Sequence, residues 1–194
     1  MRKIVITLLA VMMATVAAKA QSEGEEISFE RKQAIDSLAL EKVRDLGKYV
    51  KIVGAKTTPW SEANRVIDRA EELFMTGAEI GVSSLRTNQV RYFKVRQYFE
   101  RLMQLNYDRV EIEWYNIEYV SDMQPQPDGT YVGVITVFQT FRGYDAEGEL
   151  VYKDTTKKDI TVYAQHKETQ IGGRIIGFWD VLLGDMRVKE TVNK

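Results

Sequence analysis

Cysteine is absent from the 194 residues, histidine occurs once and proline three times. Without a thiol the chain forms no disulfide, no thiolate metal site and no cysteine nucleophile. The single histidine, His166, excludes a two-histidine metal site and leaves one imidazole as a candidate base. There is no glycine-rich phosphate loop, no G-x-S-x-G turn and no H-E-x-x-H helix, so the marks of P-loop nucleotide binding, α/β-hydrolase chemistry and zincin proteolysis are missing. No metal or cofactor is expected. The 27 basic residues do not outnumber the 28 acidic ones, so no electrostatic footprint for nucleic acid is present.

What is there begins with an export signal. Arg2 and Lys3 precede an apolar run from Ile4 to Ala18, and Ala18-Lys19-Ala20 supplies the small-x-small cleavage pattern before Gln21. The run of 15 residues is shorter than the roughly 18 that mark a membrane span. Residues 1–20 are therefore read as a signal peptide, and the mature chain as a soluble periplasmic or secreted protein without a membrane span. Losing Arg2, Lys3 and Lys19 leaves 24 basic against 28 acidic residues, a net charge of −4. The remaining chain is long enough to bury a core of its own.

Residues 21–55 read as an acidic segment followed by a helix from Ser28 to Val53, in which Ile35, Leu38, Leu46, Val50 and Val53 share a face while Lys42 and Gly47 interrupt it. Thr58 and Pro59 are read as N-cap and first residue of a second helix, with Ala63, Val66, Ile67, Ala70 and Phe74 as its stripe and its end near Gly77. Short strands are predicted at Ala78–Ser84 and Val90–Phe93, and a third helix over Lys94–Leu105. After Asn106 the period changes from 3.6 to 2. Val110, Ile112 and Trp114 alternate, and the parity reverses by Ile117, which predicts a bulge near Tyr115-Asn116. Strands follow at Tyr131–Phe141 and Leu150–Gln165, and the last runs through "GFWDVLLGD", with a bulge at Gly184. Turn clusters "QPQPDGT", "DAEGE" and "KETQIGG" separate them. Helices followed by a meander of four long strands make one α+β domain.

The order helix, short hairpin, helix, long strands over residues 56–192 resembles the nuclear-transport-factor-2-like superfamily, the cystatin-like α+β cones. "YFKVRQYFERLMQLNYDRVEIEW", "LVYKDTTKKDITVY" and "WDVLLGDMRVKET" also resemble exported proteins of Bacteroidetes-type bacteria. The resemblance implies one domain over 56–194, with N-terminal helices packed on a strongly curved antiparallel sheet. It also implies a pocket inside the cone and a homodimer formed through the outer sheet face. No catalytic residue is carried over from that family, whose members include both enzymes and binding modules.

The expected pocket is lined by Trp114, Tyr119, Tyr131, Phe138, Trp179 and Asp180. Asp180 is the candidate acid or base, because a carboxylate among Phe, Trp and Leu must neutralise or find donors. A tight turn over "KETQIGG" sets His166 opposite Arg174 to Ile176 and some 13–20 Å from Asp180, at ~3.3 Å per residue, which excludes a direct dyad. "YKDTTKKD" (Tyr152–Asp159) reads as a solvated, lysine-protected edge. The first functional reading is an exported, non-catalytic module binding a small apolar ligand or a protein. The alternatives are an isomerase or dehydratase using an acid in the cone, and a subunit of an envelope assembly.

Overall fold

Local capping and periodicity place the helices. The computed structural model describes residues 28–85 and 89–192, so the segment read as a signal peptide and the acidic stretch to Ile27 lie outside the described residues. Ser28 caps α1 (Phe29–Gly54) by accepting from the Arg31 N–H at 3.3 Å. Ile35, Ala39, Val43, Leu46, Val50 and Val53 form its buried stripe. Gly47 has a packing reason. A Cβ there would lie 3.3 Å from the Trp114 ring, so the missing side chain lets that indole lie against the helix.

In α2 (Trp60–Glu71) Pro59 is the N-cap residue rather than the first helical one. Thr58 Oγ1 instead donates to Ile52 O at 2.6 Å and ties the connector back to α1. The helix ends at Glu71 instead of near Gly77 because the backbone is recruited by the sheet. Met75 N donates to Leu183 O at 2.7 Å, and Leu183 N donates to Leu73 O at 2.8 Å. Gly77, at φ +86, then turns the chain into β1 (Glu79–Ser84), followed by β2 (Gln89–Lys94) and α3 (Val95–Met103).

Four long strands complete the chain: β3 (Arg109–Pro125), β4 (Tyr131–Tyr144), β5 (Leu150–Ile171) and β6 (Arg174–Val192). The sheet order is β2-β1-β6-β5-β4-β3, antiparallel throughout except for the parallel β1–β6 pair at Ile80 and Met186. Bulges stand where the parity changes expected them. Asn116 has φ +50 within the register shift between Tyr115 and Glu118, and Gly184-Asp185 sit opposite Thr161 alone. Bulges bend strands and increase their twist. Ile135, Val137, Ile160, Val162, Val181 and Leu183 on the inner face are buried with the α1 stripe in one core. The α+β class, with helices packed on a curved, mainly antiparallel sheet in a single domain, is as the sequence led us to expect.

The register of the last hairpin differs from expectation. Gly172 (φ +56) and Gly173 (φ +79) make a two-residue turn closed by Ile171 and Arg174. Two consecutive left-handed residues match strand twist, and glycine adopts them without steric cost. The polar "KETQ" therefore remains in strand, and β5 runs six residues past Gln165. In this register His166 pairs with Trp179 and Gln165 with Asp180.

Leu46 lies fully buried at the centre of the α1 stripe. Leu46→Ala is expected to destabilise the fold by about 2–5 kcal/mol, read as a lower urea midpoint by circular dichroism.

Candidate active site

Beyond the C-terminal end of α1, α3 faces the inner side of the sheet, and the β1–β2 edge of that sheet closes one side. A cavity of about 280 Å³ opens there, near the small end of the ~300–1,000 Å³ range of ligand pockets. Its walls are Val82 and Phe93 from the hairpin, Tyr98 and Leu102 from α3, and Ile112 and Phe141 from the sheet, with the exposed Arg101 also among its lining residues. Tyr107, Phe141 and Tyr152 form an aromatic wall, with ring centroids 5.6 to 6.5 Å apart. Tyr107 reaches that position over Gly143, where a Cβ would come within 2.6 Å of its ring.

The polar groups of this apolar cavity come chiefly from β5. Residues i, i+2 and i+4 of a strand share one face, so Asp154, Thr156 and Lys158 continue the inward row of Ile160, Val162 and Ala164. Asp154 is 5% exposed and Lys158 2%. The reading of "YKDTTKKD" as a solvated edge is thus corrected: β5 lies between β4 and β6, and α3 faces its inner side.

Asp154 Oδ2 accepts from the Tyr152 hydroxyl at 2.6 Å, and that hydroxyl accepts from the Leu85 N–H at 3.2 Å. Burial pushes the Asp154 carboxyl above the usual carboxylate range, against the opposing effects of the Tyr152 bond and the Lys158 charge. Lys158 Nζ has only a long bond, 3.4 Å to Gln139 Oε1, and lies 5.7 Å from the Tyr98 ring centroid. Burial lowers its ammonium to about 8, with the Asp154 charge pulling the other way. Tyr98, also desolvated, is held protonated well above its ordinary range. Gln139 is oriented from behind, since its Oε1 also accepts from Trp114 Nε1 at 3.1 Å. The result is an acid of raised pKa and an amine of lowered pKa at the floor of one cavity, the kind of environment that suits side chains to proton transfer.

Of the six residues proposed from sequence, Tyr131 and Trp179 come into contact, but none of the six lines this cavity. Trp114 lies against α1 and touches the cavity only through Gln139. Tyr119 donates to Asp36 O at 3.4 Å, toward the N-terminal end of α1. Tyr131 and Trp179 pack edge to face at 5.6 Å, next to His166. Phe138 is on the outer face, stacked on Tyr115 at 5.7 Å. Asp180 also points outward, ion-paired with Lys167 at 2.5 Å, and partners Gln165 rather than the expected Ile160 or Thr161. His166 and Asp180 are close along the hairpin but on opposite faces, which excludes the dyad for a different reason than distance. The missed residues had a signal: the inward parity of Ile160, Val162 and Ala164, extended backwards, reaches Lys158 and Asp154. Among the described residues no group of three His, Asp or Glu is placed to hold a metal ion, and no helix is long and apolar enough to cross a membrane.

Solved structures match the chain at low identity. One that matches is a protein assigned as a scytalone dehydratase from Novosphingobium aromaticivorans, 11% identical, covering 84% of this chain and 90% of that one with a TM-score of 0.43. Another is a type 2 hexachlorocyclohexane dehydrochlorinase, 13% identical over 84% of this chain and 91% of that one, with a TM-score of 0.39. At such distances no activity is transferred from either. No family model and no curated protein matches the sequence.

A lysine whose folded pKa lies below its unfolded value costs stability wherever it is charged in both states. For Lys158 the cost is full below pH 8, falls as pH rises, and vanishes above the ordinary lysine value of 10.5. Lys158→Met is expected to stabilise the fold by about 3 kcal/mol at pH 7, with the gap closing toward pH 10.5. Urea denaturation of both proteins across that pH range checks the sign.

Proposed function

We propose that the chain is a small-molecule enzyme of the isomerase or lyase kind, which moves a proton on a largely apolar ligand held in this cavity. Asp154 is the proton carrier. The observation that carries the reading is the buried Asp154–Tyr152 hydrogen bond on the polar floor of a largely apolar cavity that Lys158 also lines. The alternative of an acid within the cone is thereby favoured over a non-catalytic module, with Asp154 in the place first given to Asp180.

The chemistry follows from the environments. Asp154 as carboxylate takes a proton from carbon next to an electron-withdrawing group, and as carboxylic acid returns it elsewhere or to a leaving group. Its raised pKa makes it a stronger base than a solvated carboxylate. The Lys158 ammonium, weakly solvated and lining the same cavity, offsets negative charge that develops on the ligand's oxygen, where low local polarity strengthens the attraction. The Tyr107, Phe141 and Tyr152 wall excludes water and fixes a flat ligand. Export belongs to the same proposal. Arg2-Lys3, the apolar run 4–18 and Ala18-Lys19-Ala20 support action outside the cytoplasm after cleavage before Gln21.

Acetophenone and phenylacetaldehyde in D2O provide a test. The protein is expected to accelerate deuterium incorporation at the carbon next to the carbonyl, followed by proton NMR. Asp154→Asn should reduce the rate by about 10²-fold or more, the usual contribution of a positioned acid–base group. Binding of these compounds without exchange would contradict the proposal and return the chain to a binding role.

A further inference from the structure

We propose that Lys158 is a nucleophile that captures the carbonyl carbon of a small aldehyde or ketone as an imine, which makes carbonyl compounds the ligand class of the cavity. The inference rests on the reading of this cavity as a reaction site, and it assigns Lys158 covalent chemistry beyond charge compensation.

The lysines differ in how their ammonium groups are held. Lys32, Lys48, Lys94, Lys167 and Lys189 hold their ammonium groups against surface carboxylates at 2.5 to 3.5 Å. Lys56, partly buried, is engaged by two backbone carbonyls, Met103 O and Leu105 O, where it anchors the end of α3. Lys158 has neither arrangement. Its one hydrogen bond is a long one to the neutral amide of Gln139, and among the described residues no carboxylate is in ion-pair contact with it. Yet it lines a cavity of about 280 Å³. An amine that is desolvated, weakly tethered and open to a cavity gives up its proton most readily, and the neutral amine is the nucleophile. With its ammonium lowered to about 8, the free-amine share at pH 7 is on the order of a hundredfold above that of a solvated lysine.

The surrounding groups balance the reaction. The Lys158 nitrogen forms a bond to the carbonyl carbon while the carbonyl oxygen takes a proton from the Asp154 carboxylic acid, giving a carbinolamine. Asp154, now a carboxylate, takes a proton from the nitrogen and delivers it to the hydroxyl, which leaves as water as the C=N bond forms. No oxidant or reductant is consumed. Asp154 is one turn of strand alternation from Thr156 and two from Lys158 on the same face, and both side chains line the cavity. An imine nitrogen that is protonated draws electrons from the neighbouring carbon more strongly than the parent carbonyl does. The same site would then acidify the C–H bond that Asp154 breaks.

Benzaldehyde with sodium cyanoborohydride at pH 7 tests this on the full mature chain, since the hydride converts any imine to a stable secondary amine. The expected product carries the mass of the aldehyde less one oxygen, mapped by peptide mass spectrometry to Lys158 at least tenfold ahead of any surface lysine. Excess acetophenone should slow the labelling. Lys158→Arg and Lys158→Met should lose the preferred adduct, and Asp154→Asn should form it more slowly. Labelling spread over surface lysines, with Lys158 unmodified, overturns the inference. If deuterium exchange persists in that case, and also in Lys158→Met, proton transfer by Asp154 stands without the imine. A Lys158 adduct without any exchange supports the nucleophile and removes the proton-transfer reading instead.

Discussion

The buried ammonium of Lys158 constrains the open end of this fold more than any other group. A charge taken out of water must be matched by fixed dipoles or by a neighbouring charge, or else its pKa shifts. Here the compensation is partial. Gln139 offers one carbonyl oxygen, the Tyr98 ring offers its face, and Asp154 acts through its charge without an ion-pair contact. The Gln139 amide is in turn held by the Trp114 indole, which lies against α1 only because position 47 is glycine. A chain of contacts thus links the middle of the longest helix to the floor of the cavity.

The cavity exists because α1 is shorter than the sheet it packs on. Its stripe from Ile35 to Val53 fills the inner face at one end, and near Gly54 it meets Ile112 and Leu102, which form the first wall of the cavity. From there α3 acts as a roof, with the β1–β2 edge of the sheet closing one side, and Lys56 secures the last turn of α3 through its carbonyl oxygens. The bulges at Asn116 and Gly184-Asp185 add the bend needed for a closed apolar interior at one end and a lined hollow at the other.

Much of the architecture was legible because it depends on local chemistry. The helical stripes, the change to period 2 after Asn106 and both bulges followed from residue spacing. The hairpin register was not, since polar "KETQ" reads as turn while Gly172-Gly173 supplies the tighter one. The site was missed for a related reason. A charge-rich stretch such as "YKDTTKKD" usually faces solvent, whereas here strand parity turns Asp154 and Lys158 inward, and the cavity that receives them is formed by tertiary packing with α3. Aromatic residues, by contrast, gave a poor guide. Trp114, Tyr131 and Trp179 pack against the core, and Phe138 stacks on the outer face.

Lys158 sits desolvated at the floor of the cavity, which sets it apart chemically from the lysines held at the surface. Direct titration of its side chain by NMR, with lysine isotopically labelled and the signal assigned by comparison with Lys158→Arg, measures this in the folded protein. A midpoint near 8 is predicted. A midpoint close to the ordinary 10.5 would mean that water reaches the ammonium, and would contradict the account of the site.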